Sequence, residues 1–211
     1  MERRVVITGL GVVSPVGNGK EEFWNNLLAG KPGVGPITQF DATDFPVKIA
    51  GEVKDFDPVA LAGDRKTVRH MDRYTQFAVA AAKMAVADAK LDMTKEDPDM
   101  AGTLIGTGIG GIHVMEDTIL QIEKRGPGKV NPFAIPMMIA NMASGQVSIT
   151  LGLRGPVLTD VTACASGTNS IGLAARLIKY GDADIMLAGG AEAAVSKACL
   201  LYTSDAADDS L

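Results

Sequence analysis

Cys164 is the side chain with the most chemistry open to it. It stands in Asp160-Val-Thr-Ala-Cys-Ala-Ser-Gly-Thr168, where a β-branched run meets a turn of small residues and then a helical pattern. A tight strand-to-helix turn tolerates only small neighbours, and Ala163, Ala165 and Gly167 supply them. The arrangement has the physics of a serine nucleophile elbow. A thiol at a helix N-terminus faces unpaired backbone N–H groups and the positive end of the helix dipole. Both favour the thiolate, and the same N–H groups are placed to hold a developing oxyanion. The competing reading is a small buried hydrophobe, the usual role of a lone cysteine.

A nucleophile needs partners, and the chain has only two histidines, His70 and His113. A Cys–His hydrolase using His113 is one reading; a hydrogen-bonded histidine at a helix start is the other. The two cysteines and two histidines are far apart and form no close-spaced ligand pair, so no metal is expected. Gly106-Thr-Gly-Ile-Gly-Gly111 matches a dinucleotide-binding pattern formally. Such a fold needs a second strand and an acid about 20 residues further on. That stretch is instead Gly126-Pro-Gly-Lys-Val-Asn-Pro132, with neither. No cofactor is expected, and close backbone approach is the better account of these glycines. Arg65, Lys66, Arg69 and Arg73 cluster in an acidic chain, and the arginines share one face if a helix begins near Asp64. They suit either a solvated helix start or a docking patch for an acidic partner.

These residues need elements to hold them. Val5-Val-Ile7 reads as a strand buried on both faces, Glu21 to Ala29 as a short helix, and residues 33 to 70 as loops with a strand near Val47 to Val53. Met71 to Lys90 is the clearest helix, with Met71, Tyr74, Phe77, Ala78, Ala81, Met84 and Ala85 directed inward. Thr103-Leu-Ile105 reads as a buried strand, Ile112 to Lys124 as a helix, Arg125 to Pro136 as a loop and Met137 to Leu151 as a helix. Pro156 to Thr162 is a strand, Ser166 to Tyr180 a helix and Asp184 to Ala188 a strand. This alternation predicts βαβ units and a mixed, mostly parallel sheet between helical layers.

Composition narrows the function. The chain has 211 residues, 46% hydrophobic and 21% charged, enough to bury a core. Its longest near-apolar stretch, Phe77 to Ala87, is interrupted by Lys83 and is too short to span a bilayer. The start runs straight into a strand pattern with no signal-peptide core, which points to the cytoplasm, as does the shortage of cysteine. A net charge of -5 and 5% aromatics argue against nucleic acid.

Several segments together carry a family resemblance. Gly155-Pro-Val-Leu-Thr-Asp-Val-Thr-Ala-Cys-Ala-Ser-Gly167 resembles the active-site segment of the β-ketoacyl-acyl-carrier-protein synthases. Gly181-Asp-Ala-Asp-Ile-Met-Leu-Ala-Gly-Gly-Ala-Glu192 resembles the strand that follows it there. Val5 to Gly17 is similar to the opening strand, and Gly108-Ile-Gly-Gly111 to the acyl-pocket loop. The match runs from about residue 3 to about residue 197 and is nearest the synthase II type. It implies the N-terminal half of a thiolase-like α/β fold and a homodimeric parent. In the implied reaction Cys164 accepts an acyl chain from acyl carrier protein and malonyl-carrier protein then extends it. Ile109 matches the acyl-pocket gate, Ala134 and Ile135 match pocket-lining positions, and Lys66, Arg69 and Lys129 match positions that dock the carrier. His70 and Gly128 stand where the family often has basic residues, which implies weaker or shifted docking. The family's two catalytic histidines, its lysine and its second oxyanion loop lie in a C-terminal half beyond this sequence. A chain-length-factor-like subunit is a further alternative, against which Cys164 itself argues; synthase I and the polyketide ketosynthases share the motifs. The domain reading is 1–198 for the synthase half and 199–211 for a tail unlike the family, read as adapter-derived read-through.

Overall fold

The computed structural model describes residues 3–201, so the tail beyond 201 lies outside the described residues. A tight hairpin comes first, β1 (Val13–Ser14) against β2 (Gly17–Asn18), with Ser14 Oγ accepting from the amides of Val16 and Gly17. Helix α1 (Lys20–Leu28) follows, held at its start by Glu22, whose carboxylate accepts from Asn18 N. Strands β3 (Val34–Pro36) and β4 (Ile49–Gly51) pair antiparallel, Gly35 opposite Ala50. Two single-turn helices, α2 (Pro58–Leu61) and α3 (Arg65–Val68), are capped by Asp57 and Asp64. The long helix α4 (Arg73–Asp88) is capped by Asp72.

Strand β5 (Ala101–Gly106) is buried at every residue. Helices α5 (Ile112–Arg125), α6 (Ala134–Met138) and α7 (Met142–Leu151) separate it from β6 (Val157–Leu158). Helix α8 (Ser166–Tyr180) leads to β7 (Ile185–Gly190), and α9 (Lys197–Leu201) closes the described chain. The sheet order is β6-β5-β7, with both pairings parallel. The chain moves outward from β5 to β6 and then back across β5 to β7. Right-handed crossovers in opposite directions put their helices on opposite faces, so α7 and α8 sandwich the sheet. This is the expected α/β layering.

The core lies where α4 and α7 meet the sheet. Tyr74, Phe77, Ala78 and Val79 of α4 pack with Ile105 and Val147. The phenol of Tyr74 donates to Ile139 O at 2.7 Å, which satisfies its one buried polar group. Full burial of side chains such as Tyr74, Val79 and Val147 contributes about 1.5–3 kcal/mol each.

Four local expectations need correction. Residues 5–7 form no strand, and Ile7 is 78% exposed. Their neighbours are held against α4 instead: Leu10 N donates to Asp88 Oδ2, and a Cβ on Gly11 would fall 1.8 Å from Ala81 O. A cavity of about 220 Å³ separates this segment from β7. The Met137–Leu151 helix is broken between Met138 and Met142, since Gly111 N draws off Met138 O and the Tyr74 phenol takes Ile139 O. Only Val157–Leu158 of the Pro156–Thr162 strand joins the ladder; beyond it the chain turns toward the elbow. Finally, Arg65, Arg69 and Arg73 do not share a face, because α3 ends at Val68 and Asp72 starts a new helix. Arg73 turns inward over Phe77, at 4.9 Å from the ring centroid, and donates to Val53 O.

Candidate active site

The site is built where β6 hands over to α8. Beyond Asp160 the chain makes a 3-10 turn, Ala163–Ala165, directly followed by α8. Ala163 takes φ 51°, a left-handed conformation unusual for alanine. Such strain persists only where surrounding contacts over-determine it, and here Ser166 does so. The buried Ser166 hydroxyl accepts from Thr162 N at 2.9 Å and lies 2.7 Å from Ala163 O and 3.1 Å from Thr107 O, its possible acceptors. Thr162 is held in turn, its hydroxyl donating to Asp160 Oδ2 and accepting from Asn169 Nδ2, both at 2.8 Å. Cys164 sits at the apex of this bracket and is exposed, not a core residue.

Behind the elbow, α8 lies directly on β7. A Cβ on Gly190 would come to 2.9 Å from Gly167 Cα, which leaves no room there, and a Cβ on Gly167 would be tight at 3.3 Å from the Gly190 backbone. The glycine loop after β5 reaches the elbow from the other side. The Cβ position at Gly108 is 3.6 Å from Ala163 Cα. Gly111 N donates to Met138 O at 2.9 Å, which docks the loop on the end of α6. The structure therefore brings together the elbow of Cys164, the loop of Ile109 and the helix of Ala134 and Ile135. Ile109 is 50% exposed and Ile135 62%, whereas Ala134 is buried.

Lys66, Arg69 and Lys129 are all exposed. The His70 ring packs against Phe133 in a tilted contact, with centroids 4.1 Å apart and planes at 43°. That contact joins the segment of Lys66 and Arg69 to the segment of Lys129, in the turn before Phe133. Arg69 Nε also donates to His70 Nε2 at 3.1 Å. His113 stands in the first turn of α5 and lines a small cavity with Glu52, Arg73 and Glu192; Cys164 is not part of that lining. Among the described residues, no group of histidine, cysteine and acidic side chains is gathered as a metal site.

Three carboxylates escaped the sequence reading. Glu192, just beyond β7, accepts from Gly108 N at 2.6 Å, Ile109 N at 3.3 Å and Thr107 Oγ1 at 3.2 Å. Asp72 is 2% exposed and accepts from Tyr74 N at 3.2 Å and Val114 N at 3.1 Å. It caps α4 and α5 at once, supplying the side-chain acceptor that Gly111 lacks. Burial pushes its carboxyl above the ordinary aspartate range, against the opposing pull of those amides. Glu52 is also buried, but hydrogen bonds from Thr38 and Gln39 outweigh that burial and hold its carboxyl below the usual glutamate range. Two of them left a readable signal: Glu192 as an acid directly after an apolar, glycine-ended strand, and Asp72 as an N-cap residue directly before a helical pattern.

An exposed thiol on a strained elbow at a helix mouth, in a parallel α/β sandwich, is the arrangement that the resemblance to the β-ketoacyl synthases implies. The comparisons agree. The model of the β-ketoacyl synthase N-terminal domain matches residues 2–206, and the chain belongs to that family. It is 50% identical over 195 residues to 3-oxoacyl-[acyl-carrier-protein] synthase 2 of Synechocystis sp., covering 92% of this chain and 47% of that protein. The chain thus spans about half the length of the curated relatives it matches. Among solved structures, the ishigamide ketosynthase/chain length factor superposes with a TM-score of 0.85 at 37% identity, over 96% of this chain and 50% of that one. A type II PKS acyl-carrier protein in complex with its ketosynthase bound to the hexaketide (AntDE:AntF) gives 0.80 at 35%, over 95% and 48%. Among the described residues no helix is long and apolar enough to cross a membrane.

Proposed function

We propose that this chain is the N-terminal half of an elongating 3-oxoacyl-acyl-carrier-protein synthase, with Cys164 as its acyl-accepting nucleophile. The observation that carries the reading is the exposed thiol on the φ 51° elbow at the head of α8. Cys164 Sγ attacks the thioester carbonyl of acyl-carrier protein. The new S–C bond replaces the carrier's C–S bond, and the carrier thiol leaves with the proton that Cys164 gives up. The Cys164 N–H serves as one oxyanion donor. Malonyl-carrier protein then loses carbon dioxide, and its carbanion attacks acyl-Cys164. That step frees the thiolate and yields a 3-oxoacyl product two carbons longer. The groups that drive decarboxylation belong to the remaining half, so the chain alone is expected to show no condensing activity.

Ile109, Ala134 and Ile135 are proposed to line the acyl groove, where an apolar wall suits an alkyl chain. Lys66, Arg69 and Lys129 are proposed to dock the acidic carrier protein. A homodimer is supported by the edge position of β6 among the described strands and by the exposed Val157 and Leu158 on it, with Val161 exposed just beyond. A type II polyketide ketosynthase is the second reading, favoured by the ishigamide and AntDE:AntF likenesses.

Incubation with acyl-acyl-carrier protein, followed by mass spectrometry of the Cys164 peptide, tests the proposal. The expected result is an acyl adduct that persists. Rapid release of free fatty acid would support a Cys–His hydrolase instead, and no adduct at all would sink the nucleophile assignment.

A further inference from the structure

We propose that Glu192 is a positioning residue that clamps the acyl-gate loop to the nucleophile elbow. This deepens the reading of Cys164 and Ile109 given above and rests on it. Glu192 leaves the end of β7 and turns its carboxylate under the turn Thr107–Ile109. That carboxylate accepts from two successive amides and from the Thr107 hydroxyl. The Thr107 hydroxyl accepts from Gly110 N at 3.1 Å in turn, which extends the hold by one more residue. The carboxylate therefore fixes the backbone that carries Ile109.

The loop is bracketed from its other end as well. Asp72 takes Val114 N, and a Cβ on Gly111 would meet Asp72 Oδ2 at 3.1 Å. Between these two acids the loop packs on Ala163 through Gly108 and receives the Ser166 hydroxyl, a 3.1 Å neighbour, at Thr107 O. Glu192 is exposed as a residue, so its role is not core packing. Hydrogen bonds from backbone amides to an ionised carboxylate are among the stronger kinds, and their loss is felt locally. The clamp sets where the Ile109 side chain stands relative to Cys164 and hence how an alkyl chain enters.

The test uses the 211-residue chain with Glu192→Ala and Glu192→Gln. Amide hydrogen exchange is read at Thr107–Ile112, with Tyr74–Ala82 as a reference. Glu192→Ala should speed exchange in the loop about fivefold or more while the reference stays unchanged. Glu192→Gln keeps one acceptor oxygen and should fall between. In parallel, Cys164 is alkylated with N-ethylmaleimide and with a long-chain N-alkylmaleimide. Glu192→Ala should lower the long-to-short rate ratio and leave the N-ethylmaleimide rate within about twofold. Unchanged loop exchange in Glu192→Ala overturns the clamp. Equal rates for the two maleimides in the unsubstituted chain would instead count against the acyl-groove reading, and loop exchange then still decides the clamp.

Discussion

Ser166 and Ala163 show how much the exposure of the Cys164 thiol owes to its neighbours. The strained φ at Ala163 aims Cys164 outward, and the Ser166 hydroxyl holds that strain in place. Cys164→Ser should abolish acylation in the mass-spectrometric assay and shift urea stability by less than about 0.5 kcal/mol, since the thiol is exposed. Gly190→Ala should be costlier, about 1–3 kcal/mol by urea denaturation, because the added methyl meets the backbone of Gly167. Glu52 gives a pH signature. Its carboxyl titrates below the ordinary range, so its contribution to stability is full above the unfolded value and is lost as pH falls through the folded one. Glu52→Gln should flatten that part of the acid limb in denaturation curves taken across pH.

At the scale of elements, Asp72 ties the starts of α4 and α5 together. Asp72→Ala leaves two helix-start amides without their acceptor and should cost about 2 kcal/mol or more. Its pH dependence has the opposite sign to that of Glu52. The raised folded value means its contribution is full below the ordinary aspartate range and declines as pH rises through the folded value. Asp72→Asn should remove that decline in stability curves measured across the same window. The three capping aspartates, Asp57, Asp64 and Asp72, also explain why residues 57–88 are two short helices followed by a long one. Each Asp fixes a helix start by accepting amides that would otherwise be orphaned.

For the whole molecule, the three-stranded sheet has β6 at one edge, with Val157, Leu158 and Val161 exposed. An apolar edge of this kind is a template for pairing. Leu158→Lys should weaken the proposed self-association, as a drop in weight-average mass by sedimentation equilibrium. Apolar side chains are also exposed elsewhere, at Trp24, Leu28, Ile7 and along α5 at Met115 and Ile119. Exposed apolar surface of this extent favours association, so light scattering is expected to rise on concentration, and less steeply for Trp24→Ser with Leu28→Ser.

Local pattern was enough to place α5 and α8, and β5 in part: Thr103–Ile105 lies inside the observed Ala101–Gly106, and Ser166–Tyr180 agrees residue for residue. The small-residue turn around Cys164 was readable too, since steric exclusion of larger side chains leaves its mark in the residue types. The same cannot be said of the long-range polar contacts. Glu192 is 84 residues from its partner Gly108, and Asp72 is 42 from Val114. No local pattern encodes such pairs: the first arises only once the sheet has brought the ends of β5 and β7 side by side, the second only once the starts of α4 and α5 meet. Residues 5–7 show the converse: a β-branched run joins no ladder, its neighbours being held to α4. Local chemistry sets which residues are able to react and where helices stop; which carboxylate meets which amide depends on how distant segments pack.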